Sequence, residues 1–228
     1  MILLVTAALA PVIIILLYIY FRDKYEKEPI GLLAMSLAAG AVIVIPVIFI
    51  EQLISSFNRS TTPLGDAAYN AFLVAALVEE GFKFLALYLL FRKNKHFNEK
   101  FDGIVYAVFI SLGFAAVENI MYVSRGGMEV ALVRMITAVP AHALFGVRMG
   151  YFFGIAQLYP ELKKSYLPLA FIYPFLLHGF YDFMLMARVE WLLLLFIPYM
   201  ILLYFIGFRK MKVTSDSSIY RNNIDIPL

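Results

Sequence analysis

The sequence predicts an all-α, polytopic membrane bundle of about seven transmembrane helices, with the N-terminus outside and the C-terminus cytoplasmic. Three observations carry that expectation. Hydrophobic residues make up 63% of the chain and charged residues only 15%, with a mean hydropathy of +0.83, which no ordinary soluble domain reaches. The apolar residues are gathered into runs of about 20, the length at which a helix crosses the hydrocarbon core. The basic residues alternate in density from one inter-run segment to the next, as loops on opposite sides of a bilayer do.

Taken in order, the spans are expected near Ile2–Phe21, Ile30–Ile50, Ala67–Phe91, Phe101–Val123, Val130–Gln157, Tyr166–Ala187 and Trp191–Phe208. The first resembles a signal peptide at Ala8-Leu9-Ala10, but it lacks a basic leading segment and continues through Pro11 to Phe21, so it reads as a retained helix. The first, third and fifth loops and the tail hold most of the lysines and arginines, among them Arg22, Lys24, Arg92, Lys93, Lys163, Lys164 and Arg209. The intervening loops hold only Arg59, Arg125 and Arg188, which fixes the expected orientation. A single transmembrane domain is expected over 1–210, followed by a short polar, disordered cytoplasmic tail over 211–228.

Composition also excludes. Without cysteine there are no disulfides, no thiolate nucleophile and no cysteine metal site. The net charge of +3 is spread over loops and forms no patch, so nucleic acid is not an expected partner.

The third span carries Val78-Glu79-Glu80-Gly81-Phe82-Lys83 inside an apolar run. Charges at that depth are costly unless they find partners, water or a function. Glu79 and Lys83 share a helix face, which fits a structural ion pair, while Glu80 points about 100° away and is left unexplained by it. Adjacent carboxylates also suit acid–base chemistry, with one accepting and one holding a proton.

The fourth span carries Glu118-Asn119-Ile120-Met121-Tyr122. Asn119 and Tyr122 suit either interhelical hydrogen bonding or a ligand, and Tyr122 lies one turn from Glu118. Glu118 is open to a hydrated, surface-directed reading as well. In the fifth span His142, Gly146, Gly150 and Gly154 recur every four residues, placing the imidazole on a stripe where another backbone can approach closely. Pro140 is expected to bend that helix near the histidine. Arg148, off the stripe, suits a structural pairing with Asp102. The sixth span repeats the pattern with Pro174, His178, Gly179 and Asp182, and Asp182 is one turn from His178, where a carboxylate orients an imidazole. Each histidine alone also fits a hydrogen-bonded core residue.

Counted from the expected helix ends, Glu79, Glu80, His142 and His178 lie at a common depth near the bilayer middle. A shared site follows from that coincidence. Proton- or cation-coupled transport would use the same groups, and a non-catalytic scaffold would need none of them.

These motifs resemble those of the PrsW intramembrane proteases. The match covers Glu79-Glu80-x-x-Lys83, Glu118-Asn119-x-x-Tyr122, His142, His178-Gly179-x-x-Asp182 and the first loop Asp23–Pro29, over nearly the whole chain. That family is related to the CAAX prenyl endopeptidases. The resemblance implies a multi-pass protein of the bacterial cytoplasmic membrane that performs site-1 cleavage of a single-pass, membrane-anchored anti-sigma factor within the lipid bilayer. It implies Glu79, Glu80, His142 and His178 as catalytic residues, with Lys83, Glu118, Asn119, Tyr122 and Asp182 in support. Either no cofactor or a single zinc ion is expected, the latter held by His142, His178 and Glu118.

Overall fold

The computed structural model describes residues 2–221, and among them the regular structure is entirely helical. Its elements are α1 (Ile2–Arg22), α2 (Ile30–Ser56), α3 (Pro63–Ala68), a π-helical stretch (Tyr69–Ala76), α4 (Leu77–Phe91), α5 (Lys100–Ile136), α6 (Ala138–Leu158), α7 (Lys163–Met186) and α8 (Glu190–Asp216). Five helical stretches are long and apolar enough to cross a membrane: Ile2–Arg22, Ile30–Ser56, Lys100–Leu158, Pro160–Met186 and Glu190–Asp216. The first of the long central stretches contains both α5 and α6, divided at Thr137 (φ −120°, ψ −81°).

Two boundaries differ from expectation for identifiable reasons. The loop expected between Val123 and Val130 is absent as a loop: the helix continues to Ile136 and is kinked at Gly127, whose φ of 72° is open only to glycine at low cost. Pro140 falls in the first turn of α6, where its missing N–H breaks no helical bond, so it starts the helix and does not bend it. The segment from Pro63 to Phe91 carries the acid pair, and it passes through a π stretch immediately before Leu77.

The core is α5, the helix against which α1, α2 and α6 pack. Glycine permits that closeness. A methyl group at Gly150 would collide with the carbonyl oxygen of Gly103, and one at Gly113 with that of Leu37 on α2. Backbones that touch gain dispersion contacts and exclude lipid, the main drive for helix association in a membrane.

At the end of the bundle bearing the α1–α2 loop, four acidic residues are buried together: Asp23, Glu28, Glu99 and Asp102. Asp102 accepts from the backbone N–H groups of Asn98 and Glu99, both at 2.8 Å, and forms a capping box with Glu99 at the start of α5. It is therefore committed to its own helix start and does not pair with Arg148. Asp23 accepts from the Glu28 N–H at 3.2 Å, and Tyr106 donates to Glu28. Burial pushes both the Asp23 and Glu28 carboxyls up to about 7.

The tail expected from Met211 is helical over its first residues. Helix α8 runs on to Asp216, with Met211, Thr214 and Ser215 buried, because Asp216 pairs with Arg22 at 2.9 Å and Ser215 donates to the Arg22 carbonyl. The last residues of the expected tail, 222–228, lie outside the described residues.

Two outcomes follow from this packing. Gly150→Ala should destabilise the detergent-solubilised protein by about 1–3 kcal/mol, the usual cost of overpacking, whereas Gly31→Ala, with open space around it, should be neutral or stabilising. Thermal melting distinguishes them. Because Asp23 and Glu28 hold their protons more tightly folded than unfolded, their contribution is fully present below pH ~4 and is lost as pH rises through about 7. Melting temperature should therefore fall between pH 5 and pH 8, and Asp23→Asn should flatten that fall.

Candidate active site

Helix α4 supplies Glu79, Glu80 and Lys83 in its first two turns, and all three are buried. Lys83 is the hub. Its ammonium donates to Glu80 Oε1 at 2.8 Å and Glu79 Oε2 at 3.0 Å, and it stands 3.2 Å from His142 Nδ1. It also lies 4.2 Å above the ring of Phe114 on α5, so each face of the charge meets an anion, a lone pair or a π-cloud.

His142 is one turn into α6 and His178 is in the second half of α7. Their rings meet edge to face with centroids 5.3 Å apart. The two imidazoles are held alike. His178 Nδ1 is 3.0 Å from Glu80 Oε1, while its Nε2 is 3.3 Å from Asp182 Oδ2. His142 turns Nδ1 to Lys83 and Nε2 to Glu118 Oε2, at 2.9 Å. Each ring thus faces the α4 cluster with one nitrogen and is fixed from behind by a carboxylate, the arrangement that sets tautomer and orientation.

The supporting layer continues outward. Arg134 donates to Glu118 Oε2 at 2.9 Å and to Asn119 Oδ1 at 2.7 Å, and Asn119 donates to the Ala8 carbonyl on α1. The kink at Gly127 makes this possible by folding the end of α5 back on its own middle. Tyr122 does not join Glu118; it is half-exposed beneath the Arg134 guanidinium, 4.2 Å away.

Glu79, Glu118, His142, His178 and Asp182 line a cavity of about 1060 Å³, while Glu80 and Lys83 sit behind its wall. The seven helical segments that line it come from across the chain. Donor atoms of Glu79, Glu80, His142 and His178 lie within 4.8 Å of one another, and Glu80 Oε2 is buried without a partner. Two imidazoles with carboxylates and an orphaned oxygen fit a single zinc ion. Glu118 stands behind His142, outside that donor group.

Sequence reasoning overlooked two groups in this region. Arg134 falls in the first turns of the span expected over Val130–Gln157, and only the double glycine at 126–127 signals that it could turn inward. Glu51 fell beyond the expected end of the second span; it lies within α2 and lines the cavity.

A helical membrane protein with buried, carboxylate-backed histidines beside a glutamate pair at a large cavity has the equipment of an intramembrane hydrolase. The comparisons agree. Residues 28–208 match the PrsW family intramembrane metalloproteases. Protease PrsW of Oceanobacillus iheyensis is 40% identical over 94% of this chain and 97% of its own length. Protease PrsW of Geobacillus kaustophilus is 37% identical over 92% of this chain and 91% of its own, and that of Bacillus subtilis 37% over 91% and 94%. No solved structure matches. The chain belongs to the PrsW family of intramembrane proteases, and is therefore a peptidase.

The hub leads to a specific outcome. Lys83→Met leaves two buried carboxylates uncompensated and should cost about 3–5 kcal/mol in stability. Adding Glu79→Gln and Glu80→Gln to it should recover a large part of that loss, measured by chemical denaturation in detergent.

Proposed function

We propose that this protein is an intramembrane endopeptidase that makes the first cut in a single-pass, membrane-anchored anti-sigma factor, with Glu79 activating water. The observation that carries the assignment is that Glu79 lines the cavity while Glu80 is enclosed behind it, bound to Lys83 and His178. A base must reach water, and Glu79 does.

In this reading Glu79 takes the proton from a water in the cavity as the oxygen attacks the peptide carbonyl. It later returns that proton to the departing amine. Glu80 and Lys83 hold the α4 carboxylate pair in register, and the positive charge of Lys83 offsets the negative charge gathered there. His142 and His178 stabilise the developing oxyanion, each aligned by its outer carboxylate, Glu118 or Asp182. Were a zinc ion bound, Glu80, His142 and His178 would hold it, leaving Glu79 free as base, and it would supply a water with a pKa near 7. The family description supports that metal, and the donor set accommodates it.

Seven spans are the count we favour, with Pro63–Phe91 crossing as one continuous α–π–α segment and α5 and α6 as two. Loop basicity supports an outer N-terminus and a bacterial cytoplasmic membrane. The cavity then opens towards the outer half, where a first cut would release the substrate's external part. Transport is disfavoured by membership in a protease family.

Purified protein in liposomes with a single-pass reporter tests the assignment. Glu79→Gln should lower the cleavage rate by at least about 10²–10⁴-fold while leaving the fold intact; undiminished cleavage would refute Glu79 as base. Chelation separates the two forms of the mechanism: cleavage lost to a chelator and restored by zinc shows that the metal is used, and cleavage unchanged by it shows that the histidines act alone.

A further inference from the structure

Between α2 and the π-helical stretch, a second, polar groove of about 440 Å³ runs into the side of the active-site cavity. Glu51, Gln52, Ser55 and Ser56 of α2 form one wall and Val74 the other. Glu51, Gln52 and Val74 also line the main cavity, so the two are continuous. Below the groove α2 is sealed against α4 by the apolar contacts of Val44, Val47 and Val78. Above it one hydrogen bond spans the gap, Tyr69 Oη to the Ile54 carbonyl at 3.0 Å.

The chemistry of this opening is unusual for a lipid-facing seam. Glu51 is half-buried and Gln52 exposed, next to Phe49 and Leu53, which expose their apolar surfaces as lipid contact requires. Among the described residues neither Glu51 nor Gln52 has a side-chain hydrogen bond or ion pair. The opposite wall is π-helical for eight residues, and irregular backbone at this depth is tolerated where it lines a watery space.

Resting on the protease reading, we propose that this groove is the lateral port through which a transmembrane substrate helix reaches the cavity, and that Glu51 with Gln52 receives its backbone as it unwinds. A peptide bond inside a helix is inaccessible to a base. Unwinding exposes N–H groups that have no partner in lipid. The Glu51 carboxylate and the Gln52 amide oxygen accept such N–H groups at the port, so the cost of unwinding is offset where the chain turns towards Glu79. The Tyr69–Ile54 bond closes the port when no substrate is present. Glu51 is thus a substrate-positioning residue and takes no part in the chemistry.

The absence of cysteine makes the test clean. Gln52→Cys and Val74→Cys are introduced together and joined across the groove by a bifunctional methanethiosulfonate, which dithiothreitol reverses. Two probes are used in proteoliposomes: a single-pass reporter helix, and a short water-soluble peptide carrying the same cleavage sequence. Bridging should cut the reporter rate at least about tenfold relative to the peptide rate, and reduction should restore the ratio. An unchanged ratio would overturn the port. In a second arm, Glu51→Leu should raise KM for the reporter about tenfold relative to KM for the peptide, the loss of a hydrogen-bond acceptor, and Glu51→Gln, which keeps an acceptor oxygen, should rescue it. Equal loss on both probes, or Glu51→Gln as impaired as Glu51→Leu, would assign Glu51 to structure or to proton transfer and end the proposal. If the wild type cleaves neither probe, the protease reading fails first and takes the port with it.

Discussion

The structure depends on one buried ammonium. Lys83 lies on the same helix as Glu79 and Glu80, yet its function in the fold is to join helices. Through the two carboxylates it reaches His178 on α7, and directly it reaches His142 on α6 and the ring of Phe114 on α5. In a medium that cannot solvate charge, none of these groups is tolerable alone. Together they form a network in which each fully buried side-chain polar atom except Glu80 Oε2 has found a neighbour, which makes the site a clamp upon the bundle.

Such a clamp works only if the backbones that carry it are closely spaced. Glycine-to-carbonyl contact between α5 and α6, and between α2 and α5, sets that spacing, so the imidazole of His142 emerges from the same stripe that brings its helix near. Packing and chemistry are therefore specified by one periodicity. Behind the histidines, Glu118 and Asp182 complete a second layer whose charge is partly answered by Arg134. The outward sequence from Lys83 to Arg134 alternates in sign, as a buried polar network must if no member is to be left with an unopposed charge.

Much of this was legible in the residues. Composition alone identified a membrane protein, and the four-residue spacings at His142 and His178 correctly placed each imidazole beside a glycine and a carboxylate or helix contact. Depth counting brought Glu79, Glu80, His142 and His178 to one level, where the structure does gather them. What was not legible depended on departures from a straight helix. A counted helix cannot show that Gly127 folds Arg134 back onto Glu118, that Pro140 begins a helix, or that eight residues before the acid pair wind as a π-helix. Glu51 was missed because hydropathy falls at charged residues and the expected span stopped just before it. Asp102 was assigned the wrong partner because capping geometry is set by the local backbone, and spatial proximity to an arginine says nothing of it.

The C-terminal ends of α1 and α8 are stitched to each other and to the start of α5. Asp216 and Ser215 bind Arg22, and Ser218 reaches Glu99, so the acidic knot around Asp23 and Glu28 is closed by the far end of α8 and the residues just after it. Were α8 to part from α1, this corner would open and its carboxylates would meet water, so the seat of one helix governs how deeply four acids are buried.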